Sequence, residues 1–210
     1  MMWLDWAERW VGALGLLSIS VALAAIFLGL YQSLRRASGR VSGSPGRMMN
    51  RGFYIVGGAL YFGLCIVLWR PLPLSLPVWG RVLSLTLGSV ILFPGLAFII
   101  WGRLTLGRMY NVSSGFGVRL YEDQRLVTDG PFAVVRHPMY LGILLLALGG
   151  ILVYRVWTLV FLLGNIPGLM RRARLEEETL AAEFGEAWEE YRGRVPAWIP
   201  RIPPLWRDDE

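Results

Sequence analysis

Apolar runs broken by short arginine-rich segments organise this chain. Residues 11–31 and 82–101 are each long enough to cross a hydrocarbon core of about 30 Å, which takes about 20 apolar residues. Residues 53–69 are slightly short and fit with local thinning of the bilayer. The pattern then changes, because runs 140–154 and 156–170 flank a single Arg155. One straight helix through both would be roughly 45 Å long with an arginine near its middle, so two short helices in a hairpin are predicted. Gly149-Gly150 and Arg155 are placed near its tip.

After the hairpin, residues 171–194 contain no proline and are rich in Glu, Ala, Arg and Leu, which predicts one helix. Leu175, Leu180, Phe184, Trp188 and Tyr191 fall on a single apolar stripe of it. Val195-Pro196 ends the helix, and Pro200, Pro203 and Pro204 keep the last segment extended. Residues 38–46, rich in Gly, Ser and Pro, predict a flexible loop. The closely spaced prolines of residues 70–77 predict a stiff extended connector. The predicted fold class is all-α: a polytopic membrane protein with about five transmembrane helices, the last two short, and a cytoplasmic C-terminal helix.

Composition agrees with a membrane protein, at 55% hydrophobic residues and a mean hydropathy of +0.48. The net charge of +6 comes from arginine alone, since the chain has no lysine. Such a charge on a soluble protein would raise nucleic acid as a partner. Here the arginines lie in loops between apolar runs, where they act as topology signals and headgroup contacts, so membrane lipids are the expected partner. Residues 32–52 carry Arg35, Arg36, Arg40, Arg47 and Arg51; residues 102–138 carry Arg103, Arg108, Arg119, Arg125 and Arg136; the tail opens with Arg171, Arg172 and Arg174. The opposite connections hold only Arg70, Arg81 and Arg155. The positive-inside rule then places the N-terminus outside, and both arginine-rich loops and the C-terminus in the cytoplasm. Asp5 and Glu8, with no basic n-region, argue against a cleaved signal peptide. Trp3, Trp6 and Trp10 read equally as an interfacial anchor or as scattered tryptophans. Cys65 is alone in an apolar run, so neither an intrachain disulfide nor a metal site is expected.

Polar chemistry concentrates where the hairpin begins, at Gly130-Pro131-Phe132 and Arg136-His137-Pro138-Met139-Tyr140-Leu141-Gly142. The protein's only histidine sits there, at the lip of an apolar helix, where ionisable groups by default mark a site. His137 before Pro138 also reads as a simple helix start, since proline suits the first helical position. Arg172 and Glu176 are spaced i, i+4 on one face of the tail helix. They read either as a surface ion pair or as groups that hold ligands. Arg136 reads as a ligand contact or a headgroup contact.

That first stretch and a second one, Arg172, Glu176-Glu177, Leu180, Phe184-Gly185, Tyr191, Arg194-Val195-Pro196 and Ile199-Pro200, together resemble the isoprenylcysteine carboxyl methyltransferase family of integral membrane enzymes. The resemblance covers roughly residues 100–200 and implies S-adenosylmethionine as cofactor. It implies a cofactor site at Gln124, Arg125, Leu126, Val127, Phe132, His137, Pro138, Met139, Tyr140 and Glu176, with Arg172 binding substrate. Phe132 and Trp188 stand where the family often has tyrosine; both keep an aromatic face. The chain then divides into a three-helix membrane region (1–101) and a methyltransferase core (102–210). The expected acceptor is a lipophilic or lipidated small molecule bearing a carboxylate, with a thiol or a lipid amine as alternatives. A carboxylate is already ionised at neutral pH and needs no general base. A thiol or amine needs one, and His137 is the obvious candidate. An NADPH-dependent sterol-type reductase and a non-catalytic membrane protein are the competing readings.

Overall fold

In the computed structural model the chain is described over residues 2–35, 41–42, 51–110, 113–114, 117–120 and 123–201. Glycines seven residues apart let two apolar helices meet backbone to backbone. Gly88 and Gly95 lie on α3 (Val78–Leu106), and Gly142 and Gly149 on α4 (Pro138–Tyr154). A Cβ added at Gly95 would come within 2.9 Å of the Gly142 carbonyl oxygen, and one at Gly88 within 3.0 Å of that of Gly149. Small residues at such positions are what allow helices to approach closely in an apolar medium, where van der Waals packing must hold them together.

Around this pair the chain is mainly helical. α1 (Met2–Arg35) packs on α3 and α4, and the three share a core of Ala22, Leu92, Leu96, Ile99 and Val153. α2 (Arg51–Val67) touches α5 (Trp157–Gly164) and leaves most of its apolar side chains exposed, as a lipid-facing helix would. Two helical stretches, residues 2–33 and 78–109, are long and apolar enough to cross a membrane; α2 and α4 have 17 residues each. The chain also forms a small antiparallel sheet that the all-α expectation missed. β3 (Gly117–Arg119) lies between β1 (Val41–Ser42) and β2 (Ser113–Ser114), with Val41 opposite Arg119 and Ser113 opposite Val118. Paired loop backbones satisfy each other's N–H and C=O groups. Apart from Val41–Ser42, the loop expected at 38–46 lies outside the described residues.

The hairpin turns at Arg155, the one non-glycine residue with positive φ among those described (φ 51°, ψ 51°). Gly149-Gly150 are not at the tip, as expected, but inside α4. Gly149 meets Leu92 and Gly88 of α3, and Gly150 meets Leu159 of α5, so close packing rather than turning requires them. The extended connector expected at 70–77 is present and pinned to this tip: Leu72 N–H donates to the Arg155 carbonyl at 2.7 Å, and Trp157 N–H to that of Arg70 at 3.0 Å. Glu8 accepts from Arg155 (2.9 Å) and Arg81 (2.5 Å), and Asp5 also pairs with Arg81 (2.5 Å). These pairs tie α1, α3 and the hairpin together at one end of the molecule.

Two further boundaries differ from the pattern-based ones. The apolar run 156–170 does not form one helix. α5 stops at Gly164, Asn165 donates back to the Phe161 carbonyl, and α6 (Ile166–Phe184) begins with Pro167 in its first turn. Proline lacks the N–H that a helix interior uses, and its fixed φ suits such a start. The expected tail helix 171–194 is likewise split. Gly185 takes φ +52°, ψ −122°, a conformation that side chains rarely adopt, and α7 (Glu186–Arg194) then turns back to pack on α6. Trp188, Tyr191 and Val195 bury there against Leu126, Leu180 and Phe184, so the predicted apolar stripe closes on itself.

Candidate active site

The box ahead of α4 is shaped by backbone contacts before any side chain is considered. Gly130–Ala133 form a 3-10 turn opened by Gly130 at φ +57°, and the N–H groups of Val134 and Val135 both donate to the Pro131 carbonyl. The chain end returns to cap this segment: Arg136 N–H donates to the Pro196 carbonyl (2.9 Å) and His137 N–H to that of Ala197 (3.2 Å). Pro138 then starts α4, and Leu141 N–H makes its first helical bond, to His137. His137 caps nothing with its side chain.

Its imidazole points to the tail helix instead. His137 Nε2 lies 2.8 Å from Glu177 Oε1, and Arg136 reaches the same oxygen through Nε (3.0 Å) and Nη2 (2.9 Å). Arg136 Nη1 also donates to the carbonyls of Val195 (2.7 Å) and Arg192 (3.2 Å). Burial raises the Glu177 carboxyl, but the donors His137 and Arg136 outweigh it and hold the group below the ordinary carboxylate range. An ionised carboxylate only accepts, so His137 Nε2 is the donor. Arg136, open between ligand and headgroup on sequence grounds, is a clamp between box and tail.

One turn away, Tyr140 is buried and its hydroxyl donates to Glu176 Oε1. Arg172 Nε lies 3.5 Å from the same oxygen, with its guanidinium carbon 5.4 Å from the Tyr140 ring centroid. Burial opposes the Arg172 charge, yet Tyr140 and Glu176 outweigh that and strengthen its hold on its proton. Trp198 closes the arrangement, its ring 5.3 Å from that of His137 and 6.3 Å from that of Tyr140. Tyr191, buried with its hydroxyl raised to about 12, donates to the Phe132 carbonyl at 2.8 Å and fixes the 3-10 turn on α7.

Two adjoining cavities follow from this packing. The first, about 100 Å³, is lined by Gln124, Arg125, Leu126, Val127, Phe132, His137 and Glu176, with Trp188 and Tyr191 of the tail. The second, about 160 Å³, is lined by Pro138, Met139, Tyr140 and Arg172, and shares Phe132, His137 and Glu176 with the first. Every candidate residue named from the sequence lies on one cavity or the other. Glu177 and Trp198 were not singled out. The Glu176-Glu177 doublet was the available signal for Glu177, since neighbouring helical positions face different sides, one toward the cavity and one toward the box. Nothing local marks Trp198, whose role depends on the tail's return path.

Residues 83–187, half of the chain, match the family model for phospholipid methyltransferases, and the chain belongs to that family. Among its relatives is a protein-S-isoprenylcysteine O-methyltransferase of Schizosaccharomyces pombe, 44% identical over 39% of this chain and 36% of its own length. Another is methanethiol S-methyltransferase 2 of Bradyrhizobium diazoefficiens, 30% identical over 76% of this chain and 63% of that protein. The human protein-S-isoprenylcysteine O-methyltransferase is 30% identical over 64% of this chain and 49% of its own. The chain thus spans less than two thirds of the length of each of these relatives. The resemblance to the isoprenylcysteine carboxyl methyltransferases, carried by the box and the tail, is borne out.

Proposed function

We propose that this chain is an integral membrane methyltransferase that uses S-adenosylmethionine and methylates a lipophilic acceptor, the carboxylate of a prenylcysteine-like molecule. The observation that carries the acceptor class is an apolar cavity of about 520 Å³ lined from all of α1 to α5, with Leu23, Phe62, Cys65, Trp69, Leu146 and Leu159 among its walls. Ile26 and Ile143 line both this cavity and the one holding Arg172, Tyr140 and Glu176. An apolar tail in the larger space brings its polar head to Arg172. In this reading residues 1–101 supply most of the wall for the tail and residues 102–210 hold the cofactor.

The donor set fits S-adenosylmethionine. Glu176 accepts from hydroxyl or ammonium groups, the amides opening α4 have no acceptor within the helix and suit a carboxylate, and Phe132 and Tyr140 offer aromatic faces to an adenine or a cation. When bound, this cofactor supplies a methyl group on a sulfonium, open to attack by an anion. An acceptor carboxylate arrives ionised, so the chain needs to remove no proton; Arg172 grips and aligns it. Glu177 keeps His137 oriented, and Trp198 covers the rings of the box against water.

A thiol acceptor is the second reading, favoured by the methanethiol S-methyltransferase that aligns over 76% of this chain. It needs deprotonation, for which His137 with its Glu177 partner is placed. The size of the apolar cavity favours the larger acceptor. The arginine distribution supports five spans with the N-terminus outside and the site and tail on the cytoplasmic side; labelling of introduced cysteines from each side of the membrane tests that topology.

The test of function is methyl transfer in proteoliposomes from labelled S-adenosylmethionine to N-acetyl-S-farnesylcysteine, an alkanethiol and phosphatidylethanolamine in parallel. Methyl ester formation, lost in Arg172→Ala, is expected. Methylation of the thiol alone would move the assignment to the second reading, and of the amine alone to a lipid amine. No product in any arm overturns the proposal.

A further inference from the structure

A fourth cavity, of about 650 Å³, opens between the C-terminal ends of α1 and α3, beside the chamber that holds Arg172. It is lined by Gly29, Tyr31, Gln32, Ser33, Arg35, Arg103, Gly107, Arg108 and Tyr110, three arginines and no carboxylate among the described residues. Arg103 is the centre of it. Only 8% of the residue is exposed, and Gly29 makes room for its head: a Cβ there would meet the guanidinium carbon at 2.7 Å. Nε donates to the Ala25 carbonyl and Nη1 to that of Gly107, both at 3.1 Å, and the guanidinium carbon lies 4.7 Å from the centroid of the Tyr110 ring. Among the described residues Nη2 has no hydrogen-bond acceptor and Arg103 has no acidic partner. These two carbonyls offset part of the charge, but a buried cation without an anion is an expensive arrangement. Arg35 stands at the rim, its guanidinium 4.2 Å from the Tyr31 ring, again with no acid paired to it among the described residues.

We propose that this cavity is an anion site that takes the phosphate of a lipid headgroup. A guanidinium meets phosphate oxygens in a planar, charge-assisted fork that suits this chemistry better than an ammonium would. A lipid is favoured over a free ion by the surroundings. Leu28 and Leu104, exposed apolar side chains, adjoin the lining residues Gly29 and Arg103 in sequence, and Tyr31 and Tyr110 place phenols at the same level, as aromatic residues do where hydrocarbon meets headgroups. Tyr110 also lines the chamber that holds Arg172, so the bound headgroup would sit one side chain from the proposed reaction site.

The test uses the full chain in detergent, by native mass spectrometry, with dioleoylphosphatidylglycerol, dioleoylphosphatidylcholine and inorganic phosphate as separate probes. One tightly held phosphatidylglycerol per chain is expected, with affinity about tenfold to a hundredfold weaker in Arg103→Gln and a smaller loss in Arg35→Gln. Inorganic phosphate displacing the lipid at equal concentration would keep the arginine assignment and make a free anion the ligand. Arg35→Gln lies at an exposed rim and carries the test should the buried substitution fail to fold. Undiminished retention in Arg35→Gln, or in a folded Arg103→Gln, overturns the proposal. No methyl donor is present in this measurement, so it stands or fails apart from the methyltransferase assignment.

Discussion

His137 Nε2 lies 2.8 Å from Glu177 Oε1 across a sequence separation of 40 residues, and that contact joins the box at the foot of α4 to the tail helix. Because Arg136 donates to the same oxygen and to two carbonyls near the end of α7, the carboxylate organises both walls of the cleft. Glu177→Gln removes the charge but keeps the shape. The substitution is expected to destabilise the protein by about 1–2 kcal/mol, the scale of losing hydrogen bonds to a charged group with some solvent access. Thermal unfolding in detergent, with limited proteolysis of the tail as a local readout, checks it; an unchanged melting temperature and cleavage pattern would contradict the clamp.

The same contact sets a pH dependence. The Glu177 carboxyl is held below its ordinary value in the folded protein, so the unfolded chain binds its proton first as pH falls. Its contribution to stability is therefore fully present above the ordinary carboxylate range, about 4.3, and is lost as pH falls from there through the lowered folded value. The melting-temperature gap between wild type and Glu177→Gln should narrow as pH falls below about 4.3. A gap that widens as pH falls below about 4.3 would reverse the sign and refute the assignment.

Helix pairing between α3 and α4 rests on absent side chains. Gly95→Leu forces a side chain against the backbone around Gly142 and should destabilise by about 1–3 kcal/mol or prevent assembly. Gly58→Ala on α2 is the control: nothing lies within 4 Å of the added Cβ, and the helix gains up to about 1 kcal/mol. Yields and melting temperatures of the two variants should move in opposite directions. Equal behaviour would mean the close approach of the two helices is not made in the folded protein.

These cases also show what the chain reveals before it folds. The box and the tail motif were readable because their chemistry is local: Pro138 announces a helix start, and Arg172 and Glu176 share a face by spacing alone. The turn at Arg155 was readable because a charge divides two apolar runs. Gly88, Gly95, Gly142 and Gly149 were silent, because a glycine means close approach only once its partner helix is known. Gly149-Gly150 was misplaced at the tip for the same reason, as punctuation and packing look alike in one dimension. Pro167 and Gly185 carried the signals for the breaks around α6, but the apolar run over one and the helix formers around the other outweighed them. Arg136 kept two readings because its acceptors include main-chain carbonyls at the end of α7, and backbone leaves no trace in a sequence motif.

Arg172 should be sensitive to a change that keeps its charge. Arg172→Lys retains the cation but loses the planar fork and the contact with the Tyr140 ring, so kcat/KM for an anionic acceptor should fall about tenfold to a hundredfold while binding of S-adenosylmethionine stays near wild type. An equal loss of cofactor affinity would instead make Arg172 part of the cofactor site.

The most direct test of the central claim is calorimetric titration of S-adenosylmethionine into the detergent-purified full chain, beside Glu176→Ala and His137→Ala. Saturable binding at one site per chain, weakened by both substitutions in variants that remain folded, is the expected result. Absence of binding to folded wild-type protein, or binding that neither substitution alters, would contradict the placement of the cofactor between the box and the tail.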